Sequence, residues 1–379
     1  MQKTKKKLTR AQRRRRRKVR RVTWRVALSV LTLIGLVLVA ALCAGQAAFN
    51  GPSQTVGDLL TVSMLETSAL KFVPRIFYSQ EKVDEVVARN SVSDDTGETD
   101  TSLIVVAKPT PEPQPGAVQP DDAGDAGDEA AQAAAQPAAT PEPQNLLSSE
   151  DGIEVYSVKS GTYNGYMMVV LDPARVTVGT CRDKFNGERG LQLKDIAKRY
   201  DALAAINGGG FEDTGGVGNG GTPVGLVVAQ GKLMHTGKVK EYNITVGFNQ
   251  DNIMILAKNM TKEEAQEKGI RDAITFGPAL VVNGEPVAVK GASSGLNPRT
   301  AIGQRADGAV LMLVIEGRQA SSLGATYADL ISIMLEYGAI NAINMDGGSS
   351  SLMYYKGEYV NNGVVLTGSR SMPTAFIVR

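Results

Sequence analysis

The feature that most constrains this chain is an uncharged segment of 24 residues, Val26–Phe49, close to the N-terminus. With a rise of about 1.5 Å per residue, a helix of this length crosses a hydrocarbon core of about 30 Å with some tilt. Residues 1–25 contain 14 Lys or Arg and no acidic residue, and the first acid of the chain is Asp58. This excess of positive charge predicts a basic cytoplasmic tail, a single transmembrane helix, and an extracytoplasmic position for everything that follows.

A cleaved signal peptide is the alternative for this segment, because Gly45-Gln46-Ala47 is a tolerable cleavage site. The apolar stretch is longer than the core of a typical signal peptide, about 7 to 15 residues, which favours a retained signal anchor. The run Arg13–Arg17 would suit nucleic-acid phosphates, but it leads directly into the apolar segment. We therefore expect a membrane partner and no nucleic acid.

After the membrane segment the composition divides the chain into three parts. Residues 50–90 carry apolar residues at helical spacing, which predicts a partly helical juxtamembrane stalk. Residues 91–150 contain 12 acids, one lysine and a Pro/Ala-rich stretch. Such a composition buries too little apolar surface to offset the entropy of ordering, so it predicts a disordered acidic linker. Residues 151–379 are left as one globular domain.

Short β-type runs and a few helices alternate along this domain. The clearest elements, in chain order, are a strand at Tyr166–Leu171, a helix at Leu191–Tyr200, a strand at Val224–Ala229 with a hairpin at Gln230-Gly231, helices at Thr261–Lys268 and Tyr327–Tyr337 with capping boxes, and a strand at Ala339–Met345. Many strands with few helices predict an α+β fold with mixed β-sheets.

Two residue counts limit the chemistry. The chain has a single histidine, His235, so histidine-dependent catalytic triads would all rest on it, and His-rich zinc sites are excluded. His235 lies in the predicted hairpin, where an ordinary strand position is the simpler explanation. Only Cys181 lies outside the membrane segment, so the domain contains no internal disulfide.

Turns rich in glycine and polar residues follow or adjoin predicted strands. Glycine lets the backbone approach a ligand closely, and a neighbouring carboxylate can act as a base, a nucleophile or a metal ligand. Each turn taken alone is better explained as a tight turn. The turns are Asn207–Phe211, Asn297–Thr300, Glu316–Arg318 and Asp346–Ser351; a further stretch, Gly216–Gly221, matches G-x-G-x-x-G but lacks the strand and helix of a dinucleotide site.

In order and content these turns resemble the phosphodiester glycosidase family, over about residues 155–379. The chain has Asn297 where the family commonly has His, and Glu316 where Asp is common. The resemblance implies hydrolysis of sugar phosphodiesters. It is carried by Ala205–Phe211, Pro223–Val227, Phe276–Leu280, Asn297–Gly303, Glu316–Arg318, Ala342–Ser350, and Arg370 before Pro373.

From this resemblance we expect a pocket that stabilises a departing phosphate. Phosphate leaves as a stable anion, so cationic groups matter more than a general acid, and Arg299 and Arg318 suit that task. We expect Asp346 to support an oxocarbenium-like centre or to activate water, with Glu316 as the second carboxylate. The expected substrate-binding residues are Asn207, Gly208, Gly209, Gly347, Gly348, Ser349, Ser350 and Arg370.

Several points stay open at this stage. No cofactor is required, although a divalent cation at Asp346 and both retaining and inverting mechanisms are compatible with the sequence. The expected partner is a phosphorylated glycan. The alternative function is a non-catalytic glycan-binding or exopolysaccharide-assembly accessory protein, whose sugar-stacking aromatics would be Phe211, Tyr354 and Tyr355.

Overall fold

The computed structural model describes residues 10–67, 70–93, 97–106, 145–213, 218–237, 243–363 and 370–379. The helices in these ranges are α1 (Arg10–Phe49), α2 (Gln54–Leu65), α3 (Pro74–Phe77), α4 (Gln80–Arg89), α5 (Leu193–Arg199), α6 (Lys262–Glu267) and α7 (Tyr327–Glu336). The strands are β1 (Leu146–Glu150), β2 (Ile153–Lys159), β3 (Asn164–Val170), β4 (Val176–Thr180), β5 (Ala204–Asn207), β6 (Val227–Ala229), β7 (Lys232–His235), β8 (Ile244–Asn249), β9 (Met254–Lys258), β10 (Ile270–Phe276), β11 (Ala279–Val282), β12 (Glu285–Pro286), β13 (Arg299–Arg305), β14 (Val310–Ile315), β15 (Ala339–Met345), β16 (Met353–Tyr355), β17 (Glu358–Tyr359) and β18 (Thr374–Val378).

The N-terminal apolar segment is part of one long helix, α1. Its portion from Arg16 to Phe49 has 34 residues, with a mean hydropathy of 2.8 in its apolar window, and is long and apolar enough to cross a membrane. The helix extends back to Arg10 through residues that we assigned to the basic tail, because Lys and Arg are themselves good helix formers. It ends at Phe49, where Asn50, Gly51 and Pro52 follow.

Three β-sheets and the helices that cover them confirm an α+β domain. The strand orders are β1-β2-β3-β14-β13-β15-β11-β12, β7-β6-β10-β8-β9 and β17-β16-β5-β18-β4. We expected mixed sheets, but the described strands pair antiparallel throughout. Antiparallel neighbours place the start of one strand beside the end of the next, and this arrangement builds the site described below.

The main core lies between the three sheets, where Met168, Ile206, Phe248 and Phe376 are fully buried. Helix α7 covers the other face of the eight-stranded sheet with Leu330 and its neighbours. Helices α5 and α6 cover the two smaller sheets. Each of these three helices thus buries its apolar face against a sheet, as its amphipathic pattern predicts.

Local signals predicted several element boundaries correctly. Helices α6 and α7 begin with the expected capping boxes, formed by Thr261 with Glu264 and by Thr326 with Asp329. The strand predicted at Ala339–Met345 has those bounds. In these cases the residues that set the boundary contact one another within a few positions of the chain.

Residues 54–106 pack against the C-terminal domain where they are described. Helices α2 and α4 are joined by an ion pair of 2.5 Å between Asp58 and Arg89. Asn90 Oδ1 accepts a hydrogen bond of 2.6 Å from the Ala292 amide, and residue 92 forms a β-bridge with residue 289. The stretch that we interpreted as a stalk therefore contacts the domain, as does the start of the predicted linker, whereas residues 107–144 lie outside the described residues.

Candidate active site

Three central strands of the eight-stranded sheet, β14, β13 and β15, have neighbouring ends at the same side of the sheet. Arg299, the first residue of β13, lies opposite Ile315, the last residue of β14. Thr300 lies opposite Met345, the last residue of β15. The polar turns that begin β13 and that follow β14 and β15 are consequently adjacent in space, although they are far apart in sequence.

These turns line a pocket of about 320 Å³. Seven of the twelve predicted site residues line it: Arg299, Arg318, Asp346, Gly347, Gly348, Ser349 and Arg370. The other five, Asn207, Gly208, Gly209, Glu316 and Ser350, are not among the lining residues. The remaining lining residues are Glu66, Asp213, Phe276, Gly277, Asn297, Tyr327 and Asn344.

Asp346 follows β15 directly and lines the pocket with its carboxyl group. Its Oδ1 accepts a hydrogen bond of 3.0 Å from the Gly347 amide. Burial raises the pKa of Asp346 to about 6, although the Ser350 hydroxyl and the positive charge of Arg370 oppose that rise. A carboxylate with such a pKa can accept a proton near neutral pH without being locked in its charged form.

Asn207 lies behind Asp346 and holds its backbone in place. The buried Asn207 side chain donates a hydrogen bond of 2.6 Å to the Asp346 carbonyl and accepts one of 2.7 Å from Thr300 Oγ1. The Asp346 amide donates to the Gly208 carbonyl at 3.2 Å. We expected Asn207 to bind substrate, but its amide joins β5 to β13 and the Asp346 turn instead.

The expected glycines fall into two groups. An added Cβ at Gly208 would lie 2.6 Å from Thr374 Oγ1, and one at Gly209 would lie 2.3 Å from Ile274, so both glycines allow close packing behind the pocket. The Gly347 amide donates a hydrogen bond to Asp346 Oδ1, and the Gly348 amide donates one to the Pro298 carbonyl. These two glycines therefore shape the pocket wall rather than present backbone donors to it.

Arg299 is held rigidly and is only 3% exposed. Its Nε donates to the Ala325 carbonyl at 3.2 Å, and its Nη2 donates to Ser294 Oγ at 2.7 Å and to the Gly295 carbonyl at 3.1 Å. Its guanidinium lies 4.3 Å above the centre of the Tyr327 ring. The remaining nitrogen, Nη1, contacts the carboxylate of Glu66 in the pocket.

Arg318 adopts a left-handed backbone conformation, with φ of +57°. Such a conformation in a non-glycine residue costs of order 1 kcal/mol or more and often marks a functional position. Its Nη2 donates to Asn297 Oδ1 at 2.9 Å. An added Cβ at Gly348 would lie 3.1 Å from Arg318 Nη1, so the glycine makes room for the guanidinium. Loss of hydration lowers the pKa of Arg318; nearby Glu66 opposes this effect and Arg299 adds to it.

Glu316 lies two residues before Arg318 but has a different environment. Its carboxylate accepts a hydrogen bond of 2.8 Å from the Asn362 amide, and its carbonyl accepts one of 2.7 Å from Ser322 Oγ. The left-handed turn at Arg318 redirects the chain, so the arginine enters the pocket while Glu316 stays in a buried hydrogen-bond network. Glu316 is thus bonded to the backbone of a neighbouring loop rather than facing Asp346.

An acid that lines the pocket beside Arg299 and that was not predicted is Glu66, at the C-terminal end of α2. Its Oε2 lies 2.9 Å from Arg299 Nη1 and accepts a hydrogen bond of 3.1 Å from Asn297 Nδ2. About a third of the side chain is exposed, 33%. Burial of the carboxylate raises the pKa of Glu66, and the positive charge of Arg299 opposes that rise. Sequence reasoning missed Glu66, since it precedes Asn297 by 231 residues and the stretch around it resembled a stalk.

Asp213 and Asn344 also line the pocket without having been predicted. Asp213 forms an ion pair with Arg370, whose guanidinium lies 4.6 Å from the centre of the Phe211 ring. Asn344 donates to the Gly277 carbonyl at 2.9 Å, while its Oδ1 has no hydrogen-bond partner among the described residues. A buried acceptor in a pocket wall suits a ligand hydroxyl. Within the described ranges no group of three His, Cys, Asp or Glu residues is arranged to hold a metal ion.

Comparison with known proteins finds a family match in the C-terminal part of the chain and a protein of similar fold. Residues 200–379 match the family described as phosphodiester glycosidase. The catalytic domain of zebrafish N-acetylglucosamine-1-phosphodiester alpha-N-acetylglucosaminidase, auto-inhibited by pro-peptide, is similar in fold, with a TM-score of 0.50 and 20% identity over 64% of this chain and 87% of that chain. The SPbeta prophage-derived uncharacterized protein YomE of Bacillus subtilis (strain 168) is 32% identical over 200 residues, which are 51% of this chain and 29% of that protein. This chain thus spans less than a third of that relative's length.

Proposed function

Because residues 200–379 match the phosphodiester glycosidase family, we propose that this chain is a hydrolase that cleaves the bond between a sugar and its phosphodiester group. The observation that carries the proposal is the charge arrangement of the pocket, in which Asp346 lies among Arg299, Arg318 and Arg370. The cations suit the phosphate and the carboxylate suits the sugar carbon. The substrate class is a sugar-1-phosphodiester of a cell-surface or extracellular glycopolymer.

In the proposed reaction the bond between the sugar C1 and the phosphate oxygen breaks. The phosphate departs as an anion, so Arg318 and Arg299 Nη1 stabilise the developing charge without a strong general acid. Water supplies the new C1 oxygen. Asp346 either accepts the proton of that water directly or first forms a covalent sugar ester that water then hydrolyses; its pKa of about 6 keeps the carboxylate largely ionised at neutral pH.

Neutral polar groups of the pocket orient the sugar. Asn344 Oδ1 accepts a hydrogen bond from a sugar hydroxyl, since this buried oxygen is without a partner among the described residues. Gly347 and Gly348 allow the sugar ring to approach Asp346 closely. Loss of the Asn344 acceptor should therefore weaken sugar binding more than phosphate binding.

Glu66 occupies the position on Arg299 Nη1 that a phosphate oxygen would take. A carboxylate at 2.9 Å from the arginine competes with an anionic substrate for the same positive charge. Substrate binding therefore requires that Glu66 move aside or take up a proton. The zebrafish catalytic domain is also inhibited from within its own chain, because it is auto-inhibited by its pro-peptide.

Helix α1 supports a proposal for the position of the chain in the cell. We propose that it is a single-pass signal anchor, with the basic N-terminus in the cytoplasm and the C-terminal domain outside. The excess of Lys and Arg before Val26 supports this orientation. Protease added to intact cells should then cut the chain within residues 107–144, whereas protection of the chain until lysis would contradict the orientation.

The test is turnover of a nitrophenyl sugar phosphodiester by wild type and by Asp346→Asn. We expect the variant to lose nearly all turnover while it still binds a sugar phosphate and unfolds at the wild-type temperature. Asp307→Asn is the matched control, because Asp307 lies in the exposed turn between β13 and β14, at the opposite end of the strands that carry the site. Unchanged turnover in Asp346→Asn would contradict the mechanism. Binding without turnover by the wild type would favour the accessory, glycan-binding function.

A further inference from the structure

The segment that follows α2 packs against the last turn of the apolar helix α1. The Phe77 ring stacks on the Phe49 ring with centres 4.8 Å apart, and it lies directly against the backbone of Gly45, where an added Cβ would come within 2.2 Å of it. The Tyr78 ring meets the Phe49 ring edge-on at 5.5 Å, and the Tyr78 hydroxyl donates to the Phe49 carbonyl. Residues in contact with this turn lie at the depth at which α1 leaves the apolar layer that it is able to cross.

The same segment exposes apolar and basic side chains together. Leu70, Phe72 and Ile76 are 43%, 57% and 54% exposed, and Lys71 and Arg75 alternate with them. Such a combination is typical of segments that lie in the headgroup layer of a membrane, where apolar groups enter the acyl boundary and basic groups meet anionic lipids. We refer to residues 70–76 as the interfacial segment.

Helix α2 connects this end of α1 to the pocket over a short distance. Its first turn touches α1, since an added Cβ at Gly57 would lie 2.8 Å from the Phe49 carbonyl oxygen. Its C-terminal cap, Glu66, contacts Arg299 at 2.9 Å. Twelve helical residues at a rise of 1.5 Å span about 18 Å. The arginine side of the pocket therefore lies within roughly 20 Å of the end of the apolar helix.

We propose that the interfacial segment docks on the membrane that α1 enters and holds the pocket over the bilayer surface, so that the substrate is a sugar phosphodiester carried by a membrane lipid. This inference rests on the proposed function for the chemistry of the pocket, and it adds the location and carrier of the substrate. A pocket held about 20 Å from the bilayer samples lipid-borne phosphodiesters at high local concentration, whereas a soluble polymer must diffuse to it.

The experiment uses the full chain reconstituted in vesicles of phosphatidylcholine with phosphatidylglycerol. One sugar phosphodiester is offered in two forms, on a long-chain prenyl alcohol within the vesicle and on a short soluble alcohol. We expect the lipid-borne form to be cleaved faster by on the order of tenfold or more at equal total concentration. Phe72→Ser combined with Ile76→Ser should remove most of this preference and leave the rate on the soluble form unchanged. Leu233→Ser, at an exposed apolar position on β7, is the control.

A second measurement tests the docking without any turnover. The native Trp24 is replaced by Phe, and Phe72→Trp supplies the only fluorophore of its kind. We expect brominated lipids to quench Trp emission from position 72 and a water-soluble quencher to have little effect. Equal cleavage of the two substrate forms, or quenching from water alone, would overturn the inference. No cleavage of either form would contradict the proposed function, while lipid quenching would still support the docking.

Discussion

Glu66→Gln is the substitution whose effect the structure defines most sharply. It removes a negative charge 2.9 Å from Arg299 Nη1 and keeps nearly the same shape and hydrogen-bonding capacity. If a substrate phosphate must take this position, the variant should bind anionic ligands more tightly than the wild type. Arg299 itself should stay in place, since its Nε and Nη2 are held by Ala325, Ser294 and Gly295.

The size of the effect follows from Coulomb's law. Two unit charges 4 Å apart repel by about 4 kcal/mol at an effective dielectric constant of about 20. The Glu66 side chain is 33% exposed, so solvent screens part of this repulsion. We therefore expect a gain of about 1–2 kcal/mol, which is roughly fivefold to thirtyfold in the inhibition constant of a sugar 1-phosphate.

The pH dependence of binding provides an internal check. Burial raises the pKa of Glu66, so its charge is lost as the pH falls through that value, and the wild type should then bind a permanently anionic phosphodiester as tightly as the variant does. The advantage of Glu66→Gln should reappear as the pH rises. Inhibition constants are to be measured at low salt across this range, with Glu85→Gln as control, since Glu85 is an exposed acid on α4 in the same N-terminal segment. Equal or weaker binding by Glu66→Gln at neutral pH would refute the competition and make Glu66 a contributor to substrate binding.

The other predictions concern the arginines, Asp346 and the linker. Arg318→Lys should lower kcat/KM on a sugar phosphodiester by on the order of tenfold to a thousandfold with an unchanged melting temperature, and an unchanged rate would remove Arg318 from phosphate binding. Arg299→Lys should also lower the melting temperature, because it breaks several buried hydrogen bonds worth about 1 kcal/mol each. With Glu66→Gln as background, kcat/KM should rise as the pH increases through about 6, the pKa of Asp346, and a flat profile would argue against Asp346 as a base. Replacing residues 107–144 with a Gly/Ser linker of equal length should change neither activity nor melting temperature, and a lower melting temperature would show that they pack on the domain.

Sequence reasoning succeeded where a signal and its structural consequence lie close together in the chain. The strand Ala339–Met345 is defined by an apolar run that follows the glycine stop of α7, and Asp346 then falls at its end. The antiparallel register places Arg299, at the start of β13, beside the end of β14, which the Arg318 turn follows. Predicting three polar turns at strand ends was therefore enough to identify half of the residues that line the pocket.

The direction of individual side chains was not predictable in this way. Asn207 is followed by glycines, a pattern that also occurs in ligand-binding loops. The packing of β5 beside β16 and β18 nevertheless turns its amide toward the backbone of Asp346. Glu316 stands in a motif with Arg318, yet the left-handed conformation at the arginine separates them. Both outcomes depend on contacts with strands and loops remote in sequence, which a local pattern does not encode.

Residues 54–106 make contacts with the domain that composition alone did not predict, although the partly helical character of residues 50–90 agrees with the structure. Their apolar content is modest, and polar contacts with the loop before β13 hold them to the domain: Ser63 Oγ accepts a hydrogen bond of 2.9 Å from the Leu296 amide, next to Asn297. Helix α2 thus meets the end of α1 at its first turn and the arginine loop at its last. Helix α2 therefore connects the end of the apolar helix to the arginine side of the pocket through 12 residues.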